Sequence, residues 1–284
     1  MRSLFRSFML AIAACSLLAP ASWAQTGVLL NENFDAYANG NLEGQFGWTQ
    51  ILASSTAPLQ VQNGRVIFPA NPSTGTGGPV VDNQDVAKTF TTFDSPGSLF
   101  TGMNITVDAS FPVASYFFAM TDTPTGFANF RLTARESPSF PGQFEFGVRV
   151  TGQAGYPFDW GAPLNYGQDY RVILQAEMNA GAQNDRVLLY IDPVDSILGN
   201  QTPYAVGEYS SGAGTDPTAL GLVIFSQFYN AGTGQSGVSI SNITVADNFA
   251  AAVPEPSTYA LIGLTLAGVG FTQWRRRRAM AKAS

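Results

Sequence analysis

The stretch Gln143-Phe144-Glu145-Phe146-Gly147-Val148-Arg149-Val150 alternates with a period of two. Phe144, Phe146, Val148 and Val150 fall on one face of an extended chain, with Glu145, Gly147 and Arg149 on the other. A helix would scatter these four apolar side chains around its circumference; a strand with one face against a core gathers them. The pattern recurs in Arg171–Met178, where Val172, Leu174, Ala176 and Met178 oppose Arg171, Ile173, Gln175 and Glu177. Arg186–Ile191 groups Val187, Leu189 and Ile191, and Gly237–Ala246 alternates again. Further strands are expected at 58–69, 86–93, 98–109, 114–121, 127–134 and 218–228. Gly, Pro, Ser, Thr and Asn interrupt these runs, and no long segment has the 3.6-residue period of a helix. Many short strands with turn signals between them predict an all-β sandwich or jelly roll. Asn71–Pro79 and Ser210–Pro217 read as surface loops.

The two ends differ from this body. Residues 1–24 have the layout of a signal peptide. Arg2 and Arg6 form a basic region, Phe8 to Leu18 an apolar core, and Ser22-Trp23-Ala24 a small-x-small cleavage site. Cleavage after Ala24 leaves Gln25 as the new amino terminus. Ile12-Ala13-Ala14-Cys15 also fits a lipoprotein box, which would make Cys15 the lipidated residue. The apolar run through Ser16–Ala19 and a second anchor at the other end argue for the Ala24 site. At the carboxyl end, Val253-Pro254-Glu255-Pro256 precedes an uncharged segment, 257–274, bounded by Tyr259 and Trp274. As a helix of 1.5 Å rise per residue it covers about 27 Å, close to the hydrocarbon thickness of a bilayer. Arg275, Arg276, Arg277 and Arg278 follow within the basic tail 275–284 and would hold that end on the cytoplasmic side. The prolines flanking Glu255 keep the motif extended and outside the helix. The expected organisation is therefore signal peptide 1–24, β-sandwich body 25–252 and carboxyl-terminal signal 253–284, with Ala250–Val253 as a short stem.

Val253–Pro256, the apolar helix and Arg275–Arg278, in that order, resemble the PEP-CTERM sorting signal of Gram-negative bacteria. The resemblance implies processing at the motif by an exosortase, a membrane cysteine transpeptidase of strains that make exopolysaccharide. It implies an exported protein with an inner-membrane intermediate, destined for the cell surface, outer membrane or extracellular matrix, in a biofilm setting. The alternative is a plain carboxyl-terminal anchor.

Seven of the 14 basic residues and one of the 20 acidic residues lie in the terminal segments, so the 25–252 body has a net charge near −12. That sign offers nucleic acid no electrostatic footprint. It suits an exported protein and cation-mediated contact with polymers. The single cysteine lies in the signal peptide, so the body forms no disulfide and depends on its core.

A second resemblance covers Phe34 to Val245. Asn33-Phe34-Asp35-Ala36-Tyr37 with Gly40, Leu42, Gly47 and Trp48 resembles the opening strand and turn of concanavalin A-like (LamG-type) jelly rolls. Tyr170-Arg171-Val172 and Asp185–Pro193 resemble their central hairpin. Val238–Val245 is similar to their last strand, except that Ser241 stands where an aspartate is usual. This implies a concanavalin A-like jelly-roll sandwich.

With no histidine and no cysteine in the body, a Ser-His-Asp triad, a Cys-His dyad and a histidine-ligated metal are excluded. Lys88 is the only lysine of the body, and no phosphate-binding glycine loop accompanies it. A glycosidase needs two cooperating carboxylates. Glu32 and Asp35 flank the first strand without a second glutamate at the required spacing, and Glu136, Glu145 and Glu177 read as isolated solvent-facing residues. The expectation is no enzyme and no catalytic residue, against the alternatives of a carbohydrate-active enzyme with an atypical carboxylate pair and a purely structural surface protein. No cofactor is expected except Ca2+, for which Asp192 and Asp195 (with Asn200) and Asp82 with Asp85 are candidate ligands. Aspartate is also favoured in turns, the competing explanation for both pairs. Tyr156, Phe158, Trp160 and Tyr166 cluster in the Gly/Pro-rich segment 152–167. Tyr156, Trp160 and Tyr166 are candidate exopolysaccharide-binding residues on a loop, or else rings capping the core. Phe34 and Trp48 are assigned to the core.

Overall fold

The computed structural model describes residues 27–51, 58–68, 84–108, 115–122, 129–150, 158–208, 216–226 and 237–253. Ala24, Gln25, Tyr156, Asp82, Pro254, Glu255, Pro256 and Arg275 to Arg278 lie outside them, as do both cleavage sites, the apolar segment 257–274 and the expected 71–79 loop.

Among the described residues, nine strands form one antiparallel sheet: β1 (Val28–Asn33), β2 (Gly40–Asn41), β4 (Gln60–Gln62), β5 (Arg65–Phe68), β7 (Gly97–Val107), β13 (Asp169–Met178), β14 (Arg186–Ile191), β15 (Ala205–Glu208) and β17 (Val238–Ala246). Eight form the other: β3 (Thr49–Gln50), β6 (Asp85–Asp94), β8 (Ser115–Thr121), β9 (Phe130–Glu136), β10 (Gln143–Val150), β11 (Asp159–Trp160), β12 (Leu164–Asn165) and β16 (Ala219–Ser226). The first sheet runs β15-β14-β13-β7-β17-β5-β4-β2, with β1 also on β17. The second runs β11-β10-β9-β8-β16-β6-β3, with β12 on β10. Chain neighbours repeatedly sit in opposite sheets, as β6 and β7 do, which is the jelly-roll arrangement the sequence predicts.

The alternation explains the layers. In β13, Val172, Leu174, Ala176 and Met178 point into the core between the sheets, while Ile173 joins a separate cluster on the outer face. In β10, Phe144, Phe146, Val148 and Val150 enter the same core. Trp48 stacks on Phe225 at 4.8 Å, and Phe34 and Phe68 pack around the same ring. Each such buried ring stabilises the fold by about 2–3 kcal/mol. Trp48 Nε1–H donates to the Tyr37 hydroxyl at 3.3 Å. That hydroxyl in turn donates to the buried Glu32 carboxylate, which also accepts from Lys88. The body's only lysine is thus an internal counter-ion.

Two segments depart from the sequence reading. The expected stem is part of the fold: Phe249–Ala252 forms a short helix, α1, capped by the Asn248 side chain accepting from Ala251 N–H at 2.9 Å. Phe249, Ala251 and Ala252 are buried on the outer face of the first sheet with Phe100, Ile173, Leu188 and Tyr190. Phe249 meets Phe100 and Tyr190 edge-on at 5.8 and 5.4 Å. The alanines lack the bulk that marks a core face in sequence. Secondly, the described part of 152–167 is more than loop, because β11 and β12 both pair with β10. Strands of two residues carry no legible period.

Candidate functional site

The outer face of the second sheet carries a row of paired arginine and aromatic side chains. Register sets it up. Across β9 and β10, Arg135 faces Glu145, Thr133 faces Gly147 and Arg131 faces Arg149. Inward-pointing Phe130, Leu132 and Ala134 alternate with these residues and anchor β9 to the core. Trp160 is directly opposite Gly147 across the β10–β11 pair. A Cβ on Gly147 would lie 2.6 Å from the indole, so the ring lies against bare backbone. The absence of a side chain at Gly147 is what seats Trp160 on the sheet.

Each arginine on this face covers a ring. Arg135 lies 4.0 Å from the Trp160 centroid, Arg149 lies 4.5 Å from Phe158, and Arg131 lies 4.5 Å from Tyr116. Arg135 also grips Glu145 Oε2 through Nε at 2.9 Å and Nη2 at 2.7 Å, while Ser137 Oγ–H donates to Oε1 at 2.8 Å. Glu145 is therefore buried, with 5% of its surface exposed, and is not the solvent-facing residue its strand position suggests. Arg131 and Arg149 are a like-charged cross-strand pair, ordinarily unfavourable. Their rings offset this by cation–π attraction. Burial lowers both guanidinium pKa values, and the Arg149 charge lowers that of Arg131 further. A guanidinium tolerates such a shift and stays charged at neutral pH. Beside the row, Ala87, Ala119, Leu222 and Ile224 form a small apolar cluster with Ile51 and Tyr116.

Of the aromatic candidates, Trp160 and its neighbour Phe158 belong to this face, their rings 5.7 Å apart. Tyr166 does not. It packs against the inner core, 5.3 Å from Phe144, in the core-capping role. The arginines and Tyr116 escape a sequence reading focused on aromatics, although Phe-Arg-Leu-Thr-Ala-Arg-Glu (130–136) puts Arg131 and Arg135 on one strand face.

The aspartates named as calcium ligands are occupied otherwise. Asp192 Oδ1 accepts from Arg171 N–H at 2.9 Å and lies 3.9 Å from Arg171 Nε. Asp195 accepts from Ile197 N–H at 2.8 Å, Asn200 Nδ2 at 2.7 Å and Gln201 Nε2 at 2.9 Å. The Asn200 amide, followed by the Ile197 N–H, holds its carboxyl below the usual range. Asp195 closes a turn, while Asp192 accepts across the β13–β14 pair. Asp85 begins β6, and Ile51 N–H bonds its carbonyl at 2.9 Å. Val253 follows α1, its N–H on Phe249 O at 3.1 Å.

Comparison with known proteins places two features. Residues 252–278 match the family described as the PEP-CTERM protein-sorting motif. The motif implies sorting by an exosortase of an exported chain that is membrane-anchored before processing. No curated protein matches the sequence. Among solved structures, the chain is similar to the CBM2 module of the evolved Dit protein of Lactobacillus casei BL23 phage J-1, with 13% identity and a TM-score of 0.48 over 78% of this chain and 96% of that one. It is similar to the Emp47p carbohydrate recognition domain, with 8% identity and a TM-score of 0.47 over 79% of this chain and 98% of that one. Xylan β-1,4-xylosidase from Bacillus halodurans C-125 aligns with 10% identity and a TM-score of 0.46 over 76% of this chain and 38% of that one. These likenesses, at 8–13% identity and TM-scores of 0.46 to 0.48, concern the arrangement of strands alone.

Proposed function

We propose that this chain is a non-enzymatic surface or matrix protein that holds exopolysaccharide on the outer face of its second sheet. The observation that carries the reading is the row of three arginine–aromatic pairs across β8 to β11. Three of the body's seven basic residues are gathered there on a chain of opposite net charge. The guanidinium groups, fixed by the rings beneath them, concentrate positive charge on this face, the complement of carboxylate or sulfate groups. The half-buried rings of Tyr116, Phe158 and Trp160 supply aromatic edges for the C–H faces of sugar rings. The binding class that fits is an anionic polysaccharide. Glu145 on this face is held by Arg135 and Ser137, which suits a structural counter-ion better than a proton donor.

Co-sedimentation and affinity electrophoresis with polysaccharide from an exosortase-bearing strain test the reading. The wild-type chain should be retained, with retention falling as salt rises, and Trp160→Ala should release it. Equal retention of Trp160→Ala, once circular dichroism shows it folded, overturns the assignment. Shortening of the polymer overturns the non-enzymatic part.

A further inference from the structure

A different pair of carboxylates has oxygen atoms with nothing to bind. The β13–β14 hairpin is closed by residues 179–185. Asn179 N–H donates to Asp185 Oδ1 at 2.8 Å, Asn179 Nδ2 to Asn184 O at 2.7 Å, and Asn184 Nδ2 to Ala180 O at 2.9 Å. The hairpin is tied to the segment before β16 by Asn184 N–H, which donates to Asp216 Oδ2 at 3.0 Å. That leaves one oxygen of each aspartate. Asp185 is 0% exposed, and its Oδ2 is buried with no hydrogen-bond partner. Asp216 Oδ1 is likewise buried with no partner. Among the described residues, none of the ion pairs includes either side chain.

An ionised carboxylate oxygen is among the most costly groups to bury unpaired. Burial raises the Asp185 pKa to about 6, and the Asp216 charge adds to the effect, so the two carboxyl groups lie close enough to repel. Nearby donors do not relieve this, because the Asn179 and Asn184 N–H groups are already on the other two oxygens. What the place lacks is positive charge accepting hard oxygen ligands from two directions. No group of three acidic, histidine or cysteine side chains occurs among the described residues, so carbonyl oxygens and water would complete the shell.

We propose that Asp185 and Asp216 bind a divalent cation of the calcium class. The ion bridges the hairpin of the first sheet to the segment leading into β16 of the second, clamping the sheets together at that end of the sandwich. Asp192 and Asp195 make a useful contrast: they stand near in sequence, but Asp195 has donors on both oxygens and Asp192 is exposed to water, so neither holds a buried oxygen without a partner. The difference in unfilled acceptor capacity, not the number of aspartates, selects the site.

The test is thermal unfolding of the purified chain at neutral pH in EDTA and in millimolar CaCl2, with Asp185→Asn and Asp216→Asn alongside. At a free calcium level about 100-fold above Kd, the wild-type midpoint should rise by roughly 5–10 °C. Both variants should lose this response. In EDTA, Asp185→Asn should be at least as stable as wild type, since the amide keeps an acceptor for Asn179 N–H and removes the uncompensated charge. A carboxylate with a merely structural role would instead make this variant weaker in EDTA and calcium alike. The proposal is overturned if the wild-type midpoint ignores calcium, if Asp185→Asn keeps the full shift, or if MgCl2 gives an equal shift. Should Asp185→Asn fail to fold, Asp216→Asn decides by the same criteria.

Discussion

Arg135→Met tests the candidate binding face and separates binding from folding. The substitution keeps an unbranched side chain over Trp160 but removes the cation from Glu145. Removing one partner of a fully buried ion pair costs about 3–5 kcal/mol, because the other charge is left without compensation. The Arg135 side chain is 31% exposed and that of Glu145 only 7%, so solvent reaches one side of the pair and reduces the cost. Loss of the guanidinium–indole contact adds about 0.5–1 kcal/mol. A net destabilisation of about 2–4 kcal/mol follows, or a fall in Tm of roughly 5–15 °C for a domain of this size. Adding Glu145→Gln should restore most of it, since the amide still accepts from Ser137 Oγ–H and carries no charge. Chemical denaturation of the wild type, both single variants and the double variant gives the coupling energy. The double variant should be near wild type in stability and still fail to retain polysaccharide. A loss below about 1 kcal/mol for Arg135→Met, or a double variant no more stable than that single one, refutes the account of Glu145 as a dependent buried charge.

Three further outcomes follow from the same geometry. Gly147→Ala should push the indole off the sheet, since the new Cβ would lie 2.6 Å from Trp160, and polysaccharide retention should fall while the core stays intact; unchanged retention counts against Trp160. Phe249→Ala should cost about 3 kcal/mol in urea unfolding, as a buried phenylalanine meeting two rings, whereas a passive stem would lose almost nothing. In EDTA, Asp185 should make stability depend on pH. Its folded pKa of about 6 lies above the unfolded value of 3.8, so the native state holds the extra proton between them. The stabilisation is fully present below the unfolded pKa and is lost as pH rises through about 6, amounting to at most about 3 kcal/mol. The stability of Asp185→Asn relative to wild type should therefore rise with pH and match or exceed it by neutral pH; a constant difference across that range contradicts the shift.

How far the sequence could be read depended on the length of each pattern. β10 and β13 each offer eight or more residues in which every second one is apolar, enough to place the core face, the outer face and hence the sandwich. Phe34 and Trp48 followed, because large rings beside turn signals have few other uses, and both are fully buried. β11 escaped because two residues define no period, so Trp160 passed for a loop residue although it lies flat on a strand. The arginine row escaped for a different reason. Its members come from β9 and β10, and only the register between those strands brings Arg131 beside Arg149 and Arg135 beside Glu145. Asp185 is the extreme case. Asn184-Asp185 reads as ordinary hairpin chemistry, and its significance depends on Asp216, 31 positions away, together with a lack of donors that no sequence displays.

The two outer faces divide the work of the body. On the first sheet, Phe100, Ile173, Leu188 and Tyr190 are apolar where an exposed sheet face should be polar, and the chain's own α1 covers them. Without α1 these residues would be an exposed apolar patch, the kind that promotes association. The body thus requires its final residues up to Ala252 for a closed surface, and Val253, where the sorting motif begins, packs against the same cluster. A cut within 253–256 leaves that cover in place, whereas a cut a few residues earlier would strip Phe249 from Phe100 and Tyr190. The position of the motif is therefore constrained from the folded side as well as by its enzyme. Since α1 lies on the first sheet and the arginines on the second, Val253 stands on the opposite face of the sandwich from Trp160.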